Sequence, residues 1–282
     1  MNITHIRLTS LHPYKNSQLI GFLSALAWLS FIFAAFKGFH FWYVGFVLFF
    51  WLSLAALNYR HKTSLWLLQN NFFLAARLYV VLFAIGFVGD FLVGQYVFHL
   101  WIYPYFHGFF DWGQLYLVVY PLGGLCIIEL FFFLSTLFHE RLIISQRTHD
   151  TSTQRIDMID HGLVAIVILG IIGASLSRYF GFQPPFPHIL LGAFLMWGAV
   201  ATLQLIHRLQ HALHWLAIIL TTTALSIFLH EVPNTAVFEW RYQNAPILNY
   251  SMLGIPVWVF LGWYLMVIVV LRAWLRFVWR HK

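Results

Sequence analysis

Three carboxylic acids stand in or against long apolar stretches of this chain: Asp90 and Glu129 within them, and Glu231 at the end of one, near an interface where ionisation is cheap. An ionised carboxylate costs several kcal/mol in hydrocarbon. Such a group therefore faces a protein interior, is hydrogen-bonded, or carries a proton and can donate it. Two of the three share a pattern. Asp90 is followed by Trp101-Ile102-Tyr103 and Glu231 by Trp240-Arg241-Tyr242, each about ten positions on. Aromatic ring faces stabilise a cation. The chemistry suggested is proton transfer in an apolar, aromatic setting. The plainer reading is a set of hydrogen bonds between helices, with Trp and Tyr in the interfacial belts.

His207, His211 and His214 stand at i, i+4 and i+7. On one helix they would share a face and could bind Zn²⁺ or iron. No second such box occurs, and the position matches a tight turn, so interfacial histidines and no metal are expected. No Gly-x-Gly-x-x-Gly, phosphate loop, Gly-x-Ser-x-Gly or Asp-rich diphosphate motif is present. The expectation is chemistry without a cofactor.

The elements that must position these residues follow from composition. Of 282 residues 61% are hydrophobic, 20% aromatic and only 9% charged. A soluble domain carries about 25% charge, so an ordinary globule is excluded. The single cysteine, Cys126, excludes a disulfide scaffold. The fold class expected is all-α, a polytopic membrane protein. Eight apolar runs are long enough to span: 18–36, 40–58, 74–98, 114–138, 161–179, 187–206, 212–230 and 250–271. The face shared with the N-terminus holds thirteen of the 16 Lys and Arg, against Lys37, Arg178 and Arg241 opposite. The net charge of +7 is thus read as an orientation signal and not as a nucleic-acid footprint. It puts both termini in the cytoplasm of a bacterial-type plasma membrane.

The acid and Trp-x-Tyr pattern divides the chain into two copies. The expected organisation is a first four-helix repeat over 1–139, a polar cytoplasmic linker over 140–160 and a second four-helix repeat over 161–282. Four helices per copy makes the repeat parallel, about an axis along the membrane normal. Each Trp-x-Tyr precedes a span opened by Pro and Gly: Tyr120-Pro121-Leu122-Gly123-Gly124, and Gly254-Ile255-Pro256. Pro and Gly leave backbone groups that only protein or a cavity can satisfy. The third, fourth, seventh and eighth spans are therefore expected to line a shared interior near the outer face.

On these motifs the sequence resembles the flavin-independent lycopene cyclases and the related carotenoid hydratases. The cyclases carry an Asp, a Trp-x-Tyr and a Pro-x-Glu-Glu-x-x-Phe-Phe helix. Asp90, Trp101-Ile102-Tyr103 and the stretch Cys126 to Phe133 follow that order, with Cys126 in place of the Pro and Ile128 in place of the first Glu. The hydratases carry a Glu, an aromatic pair and a Gly-x-Pro helix ending in Trp, matched by Glu231, Trp240 and Tyr242, and Gly254 to Trp263. The resemblance covers residues 85–135 and 229–265. It implies protonation of a terminal polyene double bond, followed by cyclisation or hydration, on a carotenoid or other long isoprenoid. It makes Glu129 the acid and Asp90 or Glu231 the base or water-orienting group. Trp101, Tyr103, Trp240, Tyr242, Pro256 and Trp263 then line the cation path. The partners implied are the lipid bilayer and an apolar substrate, with homo-oligomerisation left open. The alternative is a non-enzymatic membrane protein for lipid binding, assembly or small-solute transport.

Overall fold

The computed structural model describes residues 17–37, 42–58, 63–138, 151–182, 187–207, 212–243 and 250–279. Helix dominates, as it must where the backbone has no water to bond with. The elements, in order, are α1 Ser17–Lys37, α2 Trp42–Leu57, a short α3 Ser64–Asn70 and α4 Phe72–Gly86, which runs on as a π-helix, Phe87–Val97. Strand β1 is Trp101–Ile102. Then α5 Phe109–Gln114 passes through a π turn, Leu115–Val119, into α6 Tyr120–Leu137. The rest comprises α7 Thr151–Tyr179, α8 Pro187–His207, α9 Ala212–Val237, β2 Arg241–Tyr242, β3 Ser251–Met252, β4 Ile255–Pro256 and α10 Val257–Trp279.

Among the described residues, six helical segments are long and apolar enough to cross a membrane: Phe72–Val97, Phe109–Leu137, Met158–Tyr179, Ile189–Ile206, Leu213–Val237 and Val257–Leu275. Two further apolar stretches are Leu19–Phe33, the part of the 21-residue α1 whose side chains are described, and Trp42–Leu57. The 16 residues of α2 rise about 24 Å, short of the roughly 30 Å hydrocarbon layer. Outward-facing apolar side chains are abundant. Phe73, Leu169 and Phe110 are 79%, 68% and 83% exposed, as for a lipid-facing surface. The chain is thus an all-helical protein of membrane type.

The centre is α6, buried on nearly every side and packed against α2, α4, α9 and α10. Helix α7 begins at Thr151, inside the stretch read as linker. Its Asp160 is buried and takes both guanidinium nitrogens of Arg272 on α10, at 2.8 and 2.7 Å. A bidentate pair of this kind fixes the orientation of both helices.

Connections between helices carry the strand pairs of the described residues. Strand β1 pairs antiparallel with β2, Trp101 opposite Tyr242 and Ile102 opposite Arg241. Gln243 N–H donates to the Leu100 carbonyl at 2.8 Å and extends the clasp. The strands β3 and β4 form a hairpin with Met252 opposite Ile255. Its turn residues, Leu253 and Gly254, both have positive φ, 55° and 77°. That is the two-residue turn whose twist suits a hairpin. The hairpin delivers the chain into α10.

Candidate functional site

Asp90 lies in the π-helical stretch that follows α4 and is 2% exposed. Four side chains donate to it. Trp101 Nε1 and Tyr103 OH reach Oδ1 at 2.6 and 2.9 Å; Gln95 Nε2 and Tyr116 OH reach Oδ2, both at 2.6 Å. Tyr116 stands in the other π segment. The wider π turn offsets side chains from α-helical positions and is common at functional sites. Behind Asp90 the backbone turns sharply. His99 takes a left-handed φ of 50°, and Leu100 N–H returns to the Gly94 carbonyl at 2.7 Å. The Trp101 ring then lies directly over Gly94, where a Cβ would stand 2.1 Å from its Cζ2. Only glycine permits that approach. Burial, then the Asp90 charge, pushes the Tyr103 phenol well above its usual range, so it remains a donor.

Glu231 lies near the end of α9, two residues before Pro233, and is 4% exposed. Tyr242 OH and Trp240 Nε1 donate to Oε2 at 2.5 and 3.2 Å, and Trp263 Nε1 donates to Oε1 at 2.7 Å. The chain again reverses through a left-handed residue two places before the tryptophan, Phe238 with φ 55°. Asn234 pins the return. Its Oδ1 accepts from Trp240 N at 3.1 Å and its Nδ2 donates to the Trp240 carbonyl at 2.9 Å. Burial, with the Glu231 charge second, holds the Tyr242 phenol well above its usual range.

The two clusters form one aromatic assembly. Trp101 stacks on Trp258 with ring centres 6.0 Å apart and planes 11° apart. Tyr242 meets Trp101 and Trp258 edge-on at 6.3 and 5.4 Å, and Tyr103 approaches Trp240 at 6.4 Å. Trp101, Tyr242 and Trp263 are only half-buried, so the assembly is not sealed. Of the residues picked from sequence, Asp90, Glu231, Trp101, Tyr103, Trp240, Tyr242 and Trp263 come together here. Pro256 stands in the hairpin at the entry to α10, opposite Ser251.

Glu129 is set apart. It is fully buried, and both oxygens are taken. Asn58 Nδ2 donates to Oε2 at 2.8 Å and to the Glu129 carbonyl at 2.7 Å. Ser64 donates to Oε1 through its N–H at 3.0 Å and through its hydroxyl. Trp51 Nε1 donates in turn to the Ser64 hydroxyl at 3.0 Å. Glu129 therefore ties the end of α2 and the start of α3 to α6. Tyr120, which meets Tyr103 at 3.4 Å, is nine residues earlier on α6, about 14 Å along the axis. The acid expected to act among the aromatics holds three helices together, away from that assembly. In the histidine triplet, His211 and the side chain of His207 lie outside the described residues.

Sequence reasoning passed over two residues. His230, 2% exposed, meets Tyr43 OH through Nδ1 at 2.6 Å. Glu239, 3% exposed, accepts from Trp42 Nε1 at 3.2 Å through Oε2, while Oε1 has no partner among the described residues. Burial pushes the Glu239 carboxyl up to about 7; the Asp111 charge adds to the rise and the Trp42 bond opposes it. The available signals were a histidine and an acid directly beside the residues already chosen. Both lead to α2, whose Trp42 and Tyr43 reach into the assembly; Tyr43 meets Trp240 at 5.1 Å. Comparison with protein-family models, with curated proteins and with solved structures yields no match.

Proposed function

We propose that this chain is an integral membrane enzyme of isoprenoid metabolism, similar to the lycopene cyclases, which protonates a terminal polyene double bond. The observation that carries the reading is the pair of buried carboxyls, each held by its own Trp-x-Tyr and joined by the β1–β2 clasp into one aromatic assembly.

The same observation supports a parallel repeat. Acid, left-handed residue, Trp-x-Tyr and a following Pro- and Gly-bearing element recur in that order. Antiparallel pairing of equivalent segments is what a two-fold axis between the copies would produce. With α1 and α2 counted, the proposed topology has eight spans and both termini in the cytoplasm.

In this reading the acid is Glu231, which stands among the rings, and not Glu129, which is bonded to Asn58 and Ser64 away from them. Glu231 gives its proton to the terminal C=C, and the electron pair of that bond forms the new C–H bond. The tertiary cation is attacked by the next double bond and then loses a proton, or is captured by water. Asp90 supplies fixed negative charge, and the faces of Trp101, Trp258, Tyr242 and Trp263 stabilise the cation.

A second reading has one observation in its favour. Asp90 already accepts four hydrogen bonds, which suits an aromatic box that binds an apolar ligand without converting it.

One experiment separates them: expression in cells that accumulate lycopene, with pigments resolved by chromatography and mass, beside a Glu231→Gln control. Product of unchanged mass and altered spectrum, absent from the control, supports a cyclase. A gain of one water supports a hydratase. Unconverted pigment that co-purifies with the protein supports the binding reading.

A further inference from the structure

His230 is oriented as a reactive group would be. Its Nδ1 is committed to Tyr43 OH at 2.6 Å. Its ring stacks on Trp263, centres 5.0 Å and planes 20° apart, with Tyr43 edge-on at 5.7 Å and Phe46 edge-on at 6.5 Å. Its Nε2 has no hydrogen-bond partner among the described residues. A buried histidine serving only as a link between helices is expected to use both nitrogens. The Trp263 indole presents its face to His230 and its N–H to Glu231 Oε1. One ring therefore holds both groups, the acid at its edge and the imidazole on its face. No counterpart exists in the first copy, where Gly89 precedes Asp90.

We propose that His230 is the catalytic base of the reaction assigned to this site, with Tyr43 as its positioning residue. The inference rests on the cyclase reading above. In the active tautomer Nδ1–H donates to Tyr43 OH, which leaves the lone pair on Nε2; the 2.6 Å contact is compatible with that tautomer. After ring closure, the C–H bond next to the cationic carbon breaks. Its electron pair becomes the ring double bond, and the proton forms an N–H bond at Nε2. Glu231, left as carboxylate by the first step, takes that proton back, so nothing is consumed. The position of Nε2 selects which C–H is lost and hence which double-bond isomer leaves.

The test uses the full-length protein in lycopene-accumulating cells, comparing wild type, His230→Gln, Tyr43→Phe and Glu231→Gln, with the ring isomers and hydrated products resolved. For His230→Gln the expected result is roughly a hundredfold less of the wild-type isomer. Isomers differing in double-bond position, and water adducts, appear in its place. Tyr43→Phe removes one hydroxyl and shifts the ratio in the same direction by less. It decides the matter if His230→Gln does not accumulate. A purely structural role would lower yield and leave the isomer ratio unchanged. Active wild type with that unchanged ratio in both variants overturns the inference and spares the cyclase reading. Wild type that converts no lycopene overturns both.

Discussion

Replacing Gly94 with Ala tests the Asp90 cluster without touching any of its hydrogen-bonding groups. The new Cβ would stand 2.1, 2.4 and 2.8 Å from Cζ2, Cη2 and Cε2 of Trp101. Ordinary contact starts near 3.4 Å, so the indole has to retreat by about 1.3 Å. Its Nε1 is bonded to Cε2 and moves with it. The 2.6 Å bond to Asp90 Oδ1 would stretch towards about 3.9 Å, outside hydrogen-bonding range. The stack on Trp258 is disturbed as well. A lost hydrogen bond to a carboxylate is worth about 1.5–3 kcal/mol, and overpacking adds about 1–3 kcal/mol. Because the two overlap, we expect a loss of about 3–5 kcal/mol. The assay is loss of helicity on titrating the detergent-solubilised protein with denaturant. Trp101→Phe lacks the overlapping ring atoms. The double variant should therefore be scarcely less stable than Trp101→Phe alone, giving a coupling of about 2 kcal/mol or more. Gly94→Ala within about 0.5 kcal/mol of wild type, or strict additivity in the double variant, would refute the packing described for this cluster.

Three further expectations follow from particular contacts. Glu129→Gln puts an NH₂ group opposite Ser64 N–H or Asn58 Nδ2, both of which donate. It should cost about 1–3 kcal/mol while leaving conversion per folded molecule unchanged; a stable variant with no conversion would restore Glu129 as the acid. The Glu239 carboxyl is raised by burial from 4.5 to about 7, so its neutral form suits the fold. Stability linked to it is complete below about pH 4.5 and falls as pH rises to about 7, by about 3 kcal/mol at 1.36 kcal/mol per unit. Glu239→Gln should flatten that decline in unfolding curves taken between pH 4.5 and 7; an unaltered slope would mean the group titrates normally. Leu253, exposed at the first turn position with φ 55°, carries strain that Asn tolerates better. Leu253→Asn should raise the unfolding midpoint by the equivalent of about 1 kcal/mol, and a lower midpoint would show that its side chain is needed.

The sequence alone determined the material and much of the pattern. An apolar, charge-poor chain must satisfy its backbone within helices, and those helices appear where hydropathy places them, although the 16-residue α2 is shorter than a full span and α7 starts at Thr151. The recurrence of an acid followed by a Trp-x-Tyr was also legible; that the indole and phenol donate to that acid, 9 to 13 residues away, came from the structure. Local spacing carries information over that range. Tertiary structure decided the rest. Glu129 read as a lone acid in a span until Asn58 and Ser64, 71 and 65 positions away, closed on it. Tyr43 and His230 meet across 187 residues, and Trp42 and Glu239 across 197. The π segments and the β1–β2 clasp likewise have no local sequence signature. A periodic pattern reports which residues are apolar and which share a helix face. Which donor a buried carboxyl finds depends on how the helices cross, and that is set by the packing of the whole bundle.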